Sequence, residues 1–147
     1  MANRVSSQIQ RLLEERKLVR MRSDRGLILK EIKGAEYDAE KARKSLAGGD
    51  FKWATVQAYY SMFHLIRALV YSEGYREKSH RALSLAAKEL FVKRGRLEER
   101  LIQKFEDAMD LREEADYGLE FSEEGARKVL DDVEDLSRKV KNILKIK

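Results

Sequence analysis

An arginine occupies a position at which the surrounding sequence predicts an apolar side chain. Leu101, Phe105 and Ala108 follow the four-and-three spacing of the buried side of a helix, and the same spacing continues to Arg112 and Ala115. A guanidinium in such a place needs a carboxylate or an anionic ligand, because an unpaired charge is costly to remove from water. Two interpretations are open: a cleft that binds phosphate or a partner, or an internal ion pair that closes the end of a helix bundle.

The residues that follow Arg112 fit both interpretations. Asp116 lies one helical turn further along the same face and can accept a hydrogen bond from the guanidinium. Tyr117 begins the next loop. If the position is a cleft, its border consists of Asp116, Tyr117 and, from another helix, His64. If it is structural, Arg112 and Asp116 lock the bundle or a dimer together.

The sequence contains two histidines, and their surroundings differ. His64 lies beside Tyr60 in a polar stripe along an otherwise apolar helix, where a histidine is either a hydrogen-bonded core residue or a catalytic group. His80 lies in KSHRA at a helix N-terminus, where the positive end of the helix dipole keeps the imidazole neutral or turns it toward an anion. Together with Arg81 it could hold a phosphate. The alternative is that this helix N-terminus is simply exposed to water and binds no ligand.

Several kinds of chemistry are excluded. The chain has no cysteine, which excludes disulfides, zinc-thiolate sites and cysteine nucleophiles. Two well-separated histidines without an HExxH pattern predict that no metal is bound, and the sequence indicates no other cofactor. Neither a GxxxxGK[ST] loop nor a nucleophile elbow is present, which sets aside the NTPases and hydrolases that use them.

The composition predicts an all-α fold. The 147 residues include no proline and only 8 glycines, and 39% of them are charged; this composition suits long helices with ion pairs on their outer faces. We expect an up-and-down antiparallel bundle of four main helices with one short inserted helix. A basic N-terminal helical segment over residues 1–26 precedes a bundle domain over 27–147. The predicted helices span residues 3–21, 27–46, 51–73, 80–92, 97–115 and, after a Ser122 cap, 123–144.

The predicted helix 51–73 is apolar on nearly its whole circumference, so it should lie at the centre of the bundle. We expect its large side chains to be heavily buried, namely Trp53, Tyr60, Phe63 and Ile66. Its few polar side chains fall on one stripe that contains Gln57, Ser61 and His64.

The charge of the chain is unevenly distributed. The net charge is +5, and residues 1–33 contain nine basic and four acidic side chains, which accounts for the whole excess. Basic and acidic stretches alternate along the rest of the chain, and this arrangement is more typical of a solvated face or of helix pairing than of a nucleic-acid surface. No apolar run reaches the length of a signal peptide or a membrane span, so we expect a cytoplasmic protein without a membrane partner.

Three linked motifs resemble the HEPN domain family (higher eukaryotes and prokaryotes nucleotide-binding), in particular its small single-domain prokaryotic branch. They are AYYSMFH in the central helix, KSH after it, and LREEADY at the end of a later helix. The likeness covers residues 28–144. It implies a dimerising helical bundle, often encoded beside a minimal nucleotidyltransferase in pairs that resemble toxin-antitoxin systems. Many members are metal-independent ribonucleases with an arginine and a histidine separated by four to six residues.

The resemblance assigns the arginine of that pair to Arg112, the A-D-Y ending to Asp116 and Tyr117, and the upstream motifs to Tyr60, His64 and His80. At a spacing of four intervening residues, the position that the family gives to histidine is occupied by Tyr117. A phenol of normal pKa is a poor base at neutral pH. RNA cleavage would then require an imidazole from His64 or His80.

We therefore expect a HEPN protein of toxin-antitoxin type. It should bind RNA or a nucleotide, form a homodimer and act with a minimal nucleotidyltransferase, with little or no RNA cleavage. The alternative is a non-catalytic dimeric interaction module.

Overall fold

The computed structural model describes residues 5–147 and has an all-α fold, as the composition predicts. The predicted N-terminal helix begins in part outside these residues, at positions 3 and 4. The elements, in chain order, are α1 (Ser7–Glu14), β1 (Leu18–Arg20), α2 (Arg25–Ala47), α3 (Phe51–Ser72), β2 (Tyr75–Glu77), α4 (His80–Ala87), α5 (Glu99–Glu113) and α6 (Glu123–Leu144). Two wider, π-type turns extend α4 over Lys88–Val92 and α5 over Glu114–Gly118.

Helix α3 is the centre of the bundle, because α2, α4, α5 and α6 all pack against it. Its apolar circumference meets a different neighbour on each side, and the alanines of α2, including Ala35, Ala39 and Ala42, allow that helix to pack closely. The largest fully buried side chains of the core are Tyr59, Phe91, Phe105, Met62, Leu65, Ile66, Leu69, Leu83, Leu90 and Leu101. The four long helices α2, α3, α5 and α6 are thus held by one continuous core.

Short polar residues begin the main helices. Asp24, Asp50, Ser79 and Ser122 precede α2, α3, α4 and α6, and the side-chain oxygen of each accepts a hydrogen bond from a backbone N–H of the first turn. Each contact satisfies a donor that has no partner within the helix. The predicted cap at Ser122 is confirmed, and the caps at Asp50, Ser79 and Ser122 explain why the predicted starts of α3, α4 and α6 agree closely with the structure.

The N-terminal segment differs from its predicted single helix over residues 3–21. Helix α1 ends at Glu14, and Arg16 takes a left-handed conformation with φ of 58° that stops the helix. The apolar side chains Ile9 and Leu12 of α1 and Leu18 of β1 are buried in the same core as the bundle. The amphipathic pattern was therefore identified correctly, but its second half forms a strand.

Strand β1 pairs antiparallel with β2, a pairing that the sequence analysis did not predict. Leu18 lies opposite Glu77, and Arg20 lies opposite Tyr75. Gly74 makes the turn before β2 with φ of +85°, and its carbonyl accepts the N–H of Met21. Three residues are too few for alternation to show in a sequence, and the pairing depends on contacts between distant parts of the chain.

The expectation for buried aromatic residues on α3 was wrong at Trp53. Phe63 and Ile66 are buried and Tyr60 is half-buried, but Trp53 is 49% exposed. Trp53 lies in the first turn of α3, just after the turn that ends α2, where the helix is less covered than along its middle.

Across the described part of the chain, none of the helices combines the length and the apolar character that a membrane crossing requires.

Candidate functional site

Arg112 lies in the last turn of α5 and packs against two tyrosines of α3. Its side chain is only 12% exposed. The guanidinium carbon lies 5.2 Å from the ring centroid of Tyr59 and 5.7 Å from that of Tyr60, within the range of cation-π attraction. Arg112, on the buried side of α5, is thus covered by aromatic rings.

Asp116 only partly satisfies Arg112. Its carboxylate lies 3.6 Å from Nη1 of Arg112, which is an ion pair but too long for a good hydrogen bond. The Nε atom of Arg112 is buried and has no hydrogen-bond partner among the described residues. Buried polar groups nearly always have a partner, so a guanidinium with one unpaired N–H and one weak ion pair is a group that an anion can satisfy.

The π-type turn after α5 places Asp116 and Tyr117 on opposite sides. The turn keeps Asp116 on the face of Arg112, whereas Tyr117 is 79% exposed. Ala115 between them is fully buried and anchors the turn in the core. Of the two residues that follow Arg112 in the motif, the structure therefore brings only Asp116 to the guanidinium.

His80 lies on the same pair of tyrosines as Arg112. Its ring centroid is 5.7 Å from that of Tyr59 and 6.1 Å from that of Tyr60, and the ring packs on Phe63 at 4.4 Å. Nδ1 of His80 and the hydroxyl of Tyr59 form a hydrogen bond. We call Arg112, Tyr59, Tyr60 and His80 the arginine–histidine cluster.

Burial, and secondarily the charge of Arg112, lower the pKa of His80 below its ordinary value. Burial also raises the pKa of Tyr59, so the phenol keeps its proton. The imidazole is consequently neutral at pH 7, and its second nitrogen is a donor or an acceptor according to the tautomer that the Tyr59 hydroxyl selects. A fixed cation next to a neutral imidazole can bind a phosphate and exchange a proton with it or with its ester.

His64 lies in a separate cluster of charges. Its Nδ1 is 2.9 Å from Glu31 and its Nε2 is 3.3 Å from Asp38, both on α2. Gly34 faces the ring, and a Cβ there would meet the imidazole at 3.4 Å, at the limit of ordinary van der Waals contact. Hydrogen bonds to Asp38 and Glu31 raise the pKa of His64 to about 9. His64 is therefore a cation at neutral pH and does not have a free lone pair to act as a base.

Arg67 extends this second cluster to the strand pair. Its Nε donates to Glu77 of β2 at 3.0 Å, and its Nη1 lies 3.6 Å from Glu31. Glu77 is almost completely buried, and its Oε1 has no hydrogen-bond partner among the described residues. We call Glu31, Asp38, His64, Arg67 and Glu77 the ion-pair cluster. It joins α2, α3 and β2.

The ion-pair cluster predicts a pH-dependent stability. A histidine whose pKa is about 9 in the folded protein and near its ordinary value when unfolded stabilises the fold fully below pH ~6.5, and the effect is lost as the pH rises through about 9. Because the ring is partly exposed, we expect His64→Gln to cost about 1–2 kcal/mol at pH 6. Denaturant unfolding at pH 6, 8 and 10 should show this difference shrinking. A difference that is constant across the range would contradict the assignment.

Arg81 is exposed and lies outside both clusters. Of the predicted site residues, the structure thus brings together Arg112, Asp116, Tyr60 and His80, and separates His64, Tyr117 and Arg81 from them. Tyr59 was missed because its apolar neighbours on α3 indicated a plain core position. Among residues 5–147, no group of acidic, histidine or cysteine side chains is arranged to hold a metal ion.

Residues 29–145 match the sequence profile of the HEPN domain. The chain belongs to the HEPN domain family. It is 35% identical over 113 residues to the UPF0332 protein of Archaeoglobus fulgidus, an alignment that covers 76% of this chain and 90% of the relative. It is also 34% identical over 86 residues to the protein of Methanocaldococcus jannaschii named "Putative toxin MJ0142", covering 53% of this chain and 58% of that protein. The predicted HEPN resemblance is confirmed.

Both clusters lie within the matched HEPN region, and α1 and β1 precede it. The additional N-terminal elements nevertheless contribute to the HEPN core through Ile9, Leu12 and Leu18.

Proposed function

We propose that this HEPN protein is of the toxin type, that it binds RNA or a nucleotide at the arginine–histidine cluster, and that it acts with a minimal nucleotidyltransferase. The observation that carries the proposal is Arg112, a largely buried cation whose Nε has no partner among the described residues and which shares two tyrosine rings with a neutral histidine. The name of the Methanocaldococcus jannaschii relative supports the toxin part of the proposal.

The chemistry of the cluster suits a phosphate joined to an aromatic base. The guanidinium can bind phosphate oxygens in a bidentate manner, and His80 can donate a further hydrogen bond. Tyr60 is half-buried, so part of its ring remains accessible for stacking with a base. A site of this kind recognises the backbone and a stacked base of single-stranded RNA better than it recognises a duplex.

The alternative function is a non-catalytic interaction module in which Arg112 serves assembly only. Its partial ion pair with Asp116 favours this view. Genomic context is the simplest discriminating observation, since a gene for a small nucleotidyltransferase beside the gene of this protein would support the toxin-antitoxin proposal. A neighbourhood without one, in several related genomes, would argue for the interaction module.

RNA binding can be located by titrating a short single-stranded RNA into 15N-labelled protein at two salt concentrations. We expect the amide resonances of Tyr59, Tyr60, His80 and Arg112 to shift, and the affinity to fall with rising salt. The basic N-terminal segment is the competing surface, so Arg11→Ala/Arg22→Ala serves as the control and should change the affinity by less than about threefold. Shifts confined to α1 and β1, or no binding, would contradict the proposed site.

The same samples test RNA cleavage, for which His80 is the structural candidate. In the tautomer with the proton on Nδ1, its imidazole could accept the proton of a ribose 2′-hydroxyl as that oxygen bonds to the adjacent phosphorus, while Arg112 stabilises the charge that develops. The bond from phosphorus to the 5′-oxygen of the next nucleotide then breaks, the 5′-oxygen takes a proton from water, and a 2′,3′-cyclic phosphate remains. The absence of a histidine at position 117 leads us to expect little or no cleavage. Cleavage by the wild type in the presence of a chelator, lost in His80→Ala, would overturn that expectation.

We also propose a homodimer. The support is two large aromatic side chains at the surface, the half-exposed Trp53 of α3 and the exposed Tyr37 of α2. Aromatic side chains in such positions are typical of interface anchors. Light scattering at micromolar concentration should give the mass of a dimer for the wild type and a smaller mass for Trp53→Glu. A monomeric wild type would contradict the proposal.

A further inference from the structure

Three large apolar side chains lie exposed in the connection between α5 and α6. Tyr117, Leu119 and Phe121 are 79%, 69% and 50% exposed. They alternate with Gly118 and Glu120 over five consecutive positions, and we call these three side chains the apolar patch. Exposed apolar groups that are clustered in this way mark interaction surfaces more often than single ones do.

The backbone holds this patch in solvent. Leu119 has a left-handed conformation with φ of 57°, which is unfavourable for a leucine, and the next N–H, that of Glu120, donates to the carbonyl of Glu114. Two hollows lie on either side of Glu114. One, of about 440 Å³, is lined by Asp110, Glu113 and Tyr117, and the other, of about 230 Å³, is lined by Leu111, Glu120 and Phe121. The patch therefore has concave borders that a partner side chain can enter.

The charges around the patch have one sign. Residues 110–124 contain seven acidic side chains and a single basic one, Arg112, although the whole chain has a net charge of +5. Six of the acidic residues are exposed: Asp110, Glu113, Glu114, Glu120, Glu123 and Glu124. Among the described residues, Glu123 is the member of this group that forms an ion pair, and its partner is Arg127. We call the three apolar side chains and these six carboxylates the acidic-apolar surface.

We propose that the acidic-apolar surface binds a protein partner that presents lysine or arginine side chains around an apolar centre. Charge complementarity selects this occupant. These carboxylates disfavour RNA on the exposed surface itself, whereas Arg112, in the same segment, packs on the rings of Tyr59 and Tyr60 of α3. A second copy in a symmetric dimer would place the same acidic surface against itself, which like charges oppose. The inference concerns a protein partner and does not depend on RNA binding by the arginine–histidine cluster.

The other end of the molecule has the opposite charge. Helix α6 begins beside the acidic-apolar surface and extends for 22 residues, about 33 Å, to the end where Arg25 donates to the carbonyl of Leu144. The exposed residues Arg20, Arg22 and Arg25 lie in that region. A basic partner is thus attracted to one end of the bundle and repelled by the other, which orients it during association.

The probe for this surface is a synthetic amphipathic helical peptide of lysine and leucine, tested for binding to the full chain by calorimetry. Two further peptides separate the contributions: one has serine in place of leucine, and one has glutamate in place of lysine. We expect the lysine-leucine peptide to bind at least about tenfold more tightly than either. If the lysine-serine peptide binds as tightly as the lysine-leucine peptide, the binding is non-specific charge attraction without an apolar contribution, and the proposal is overturned.

Variants of the protein locate the binding. Glu120→Lys/Glu124→Lys should weaken binding of the lysine-leucine peptide about tenfold at low salt, and Glu99→Lys/Asp131→Lys, which changes the net charge equally at exposed positions elsewhere, should have an effect of less than about twofold. Leu119→Gly/Phe121→Ser should weaken it about fivefold with little dependence on salt, and glycine keeps the left-handed conformation without strain. Equal weakening by both charge reversals would refute the location.

Sedimentation of the protein alone tests a second copy as the occupant. Head-to-tail contact between the acidic and basic ends would produce species that grow with concentration and that disappear in Glu120→Lys/Glu124→Lys. That result would replace the proposed partner by another copy of the chain. A mass that is unchanged by the reversal supports a separate basic partner.

Discussion

Arg67→Ala is expected to lower the free energy of unfolding by about 3–5 kcal/mol, the largest effect of any single change considered for this protein. The variant leaves Glu77 as an almost completely buried carboxylate whose second oxygen already has no partner among the described residues. It also removes a cation from Glu31, so His64 becomes the main partner of that carboxylate. Urea denaturation monitored by circular dichroism measures the loss.

Two comparisons make the Arg67 result specific. Arg127→Ala removes an exposed arginine from an ion pair with Glu123 one turn away and should cost less than about 0.5 kcal/mol. Arg67→Leu/Glu77→Leu removes both buried charges and should recover most of the stability, because no charge is left unpaired. A double variant as unstable as Arg67→Ala would show that the arginine acts through packing and not through charge.

Arg112→Ala is expected to weaken RNA binding by about fivefold to about 150-fold, which corresponds to about 1–3 kcal/mol for one charged contact, while the protein stays folded. The distance of 3.6 Å to Asp116 indicates a weak pair, and Asp116 is exposed enough to be hydrated once the arginine is gone. The stability should therefore fall by about 1 kcal/mol only. Fluorescence anisotropy and a melting curve on the same sample measure both quantities.

Arg112→Lys separates charge from shape at this position. Lysine keeps the positive charge but cannot bind a phosphate through two parallel hydrogen bonds, so we expect it to restore only part of the affinity. Arg127→Ala again provides the control with one exposed arginine removed. A loss of several kcal/mol in stability with unchanged RNA affinity would assign Arg112 to the ion pair with Asp116 and refute the proposed site.

The parts of the fold that were predictable from sequence are those specified by local patterns. The start of α3 follows from Asp50, and the start of α6 follows from Ser122 and the glutamates after it, because capping is encoded within a few residues. The position of Arg112 on the apolar seam and its pairing with Asp116 also follow from helical spacing alone.

The contact between His80 and Tyr59 was not predictable in this way. The two residues lie on different helices, and whether their side chains meet depends on how α4 packs against α3. The separation of His64 from Arg112 has the same cause, since helical spacing places His64 on a stripe but does not show that α2 provides Glu31 and Asp38 for it. The exposure of Trp53 likewise depends on packing, because it follows from where α2 ends relative to the first turn of α3.

The pairing of β1 with β2 has a consequence for the order of folding. During synthesis α1 and β1 leave the ribosome first, but β1 cannot pair until Tyr75–Glu77 has also emerged. Until then Ile9, Leu12 and Leu18 lack the core that covers them in the final structure. The N-terminal segment should therefore dock onto a preformed α2–α3 hairpin, and its docking should be slower than formation of the hairpin because it closes the long loop between β1 and β2.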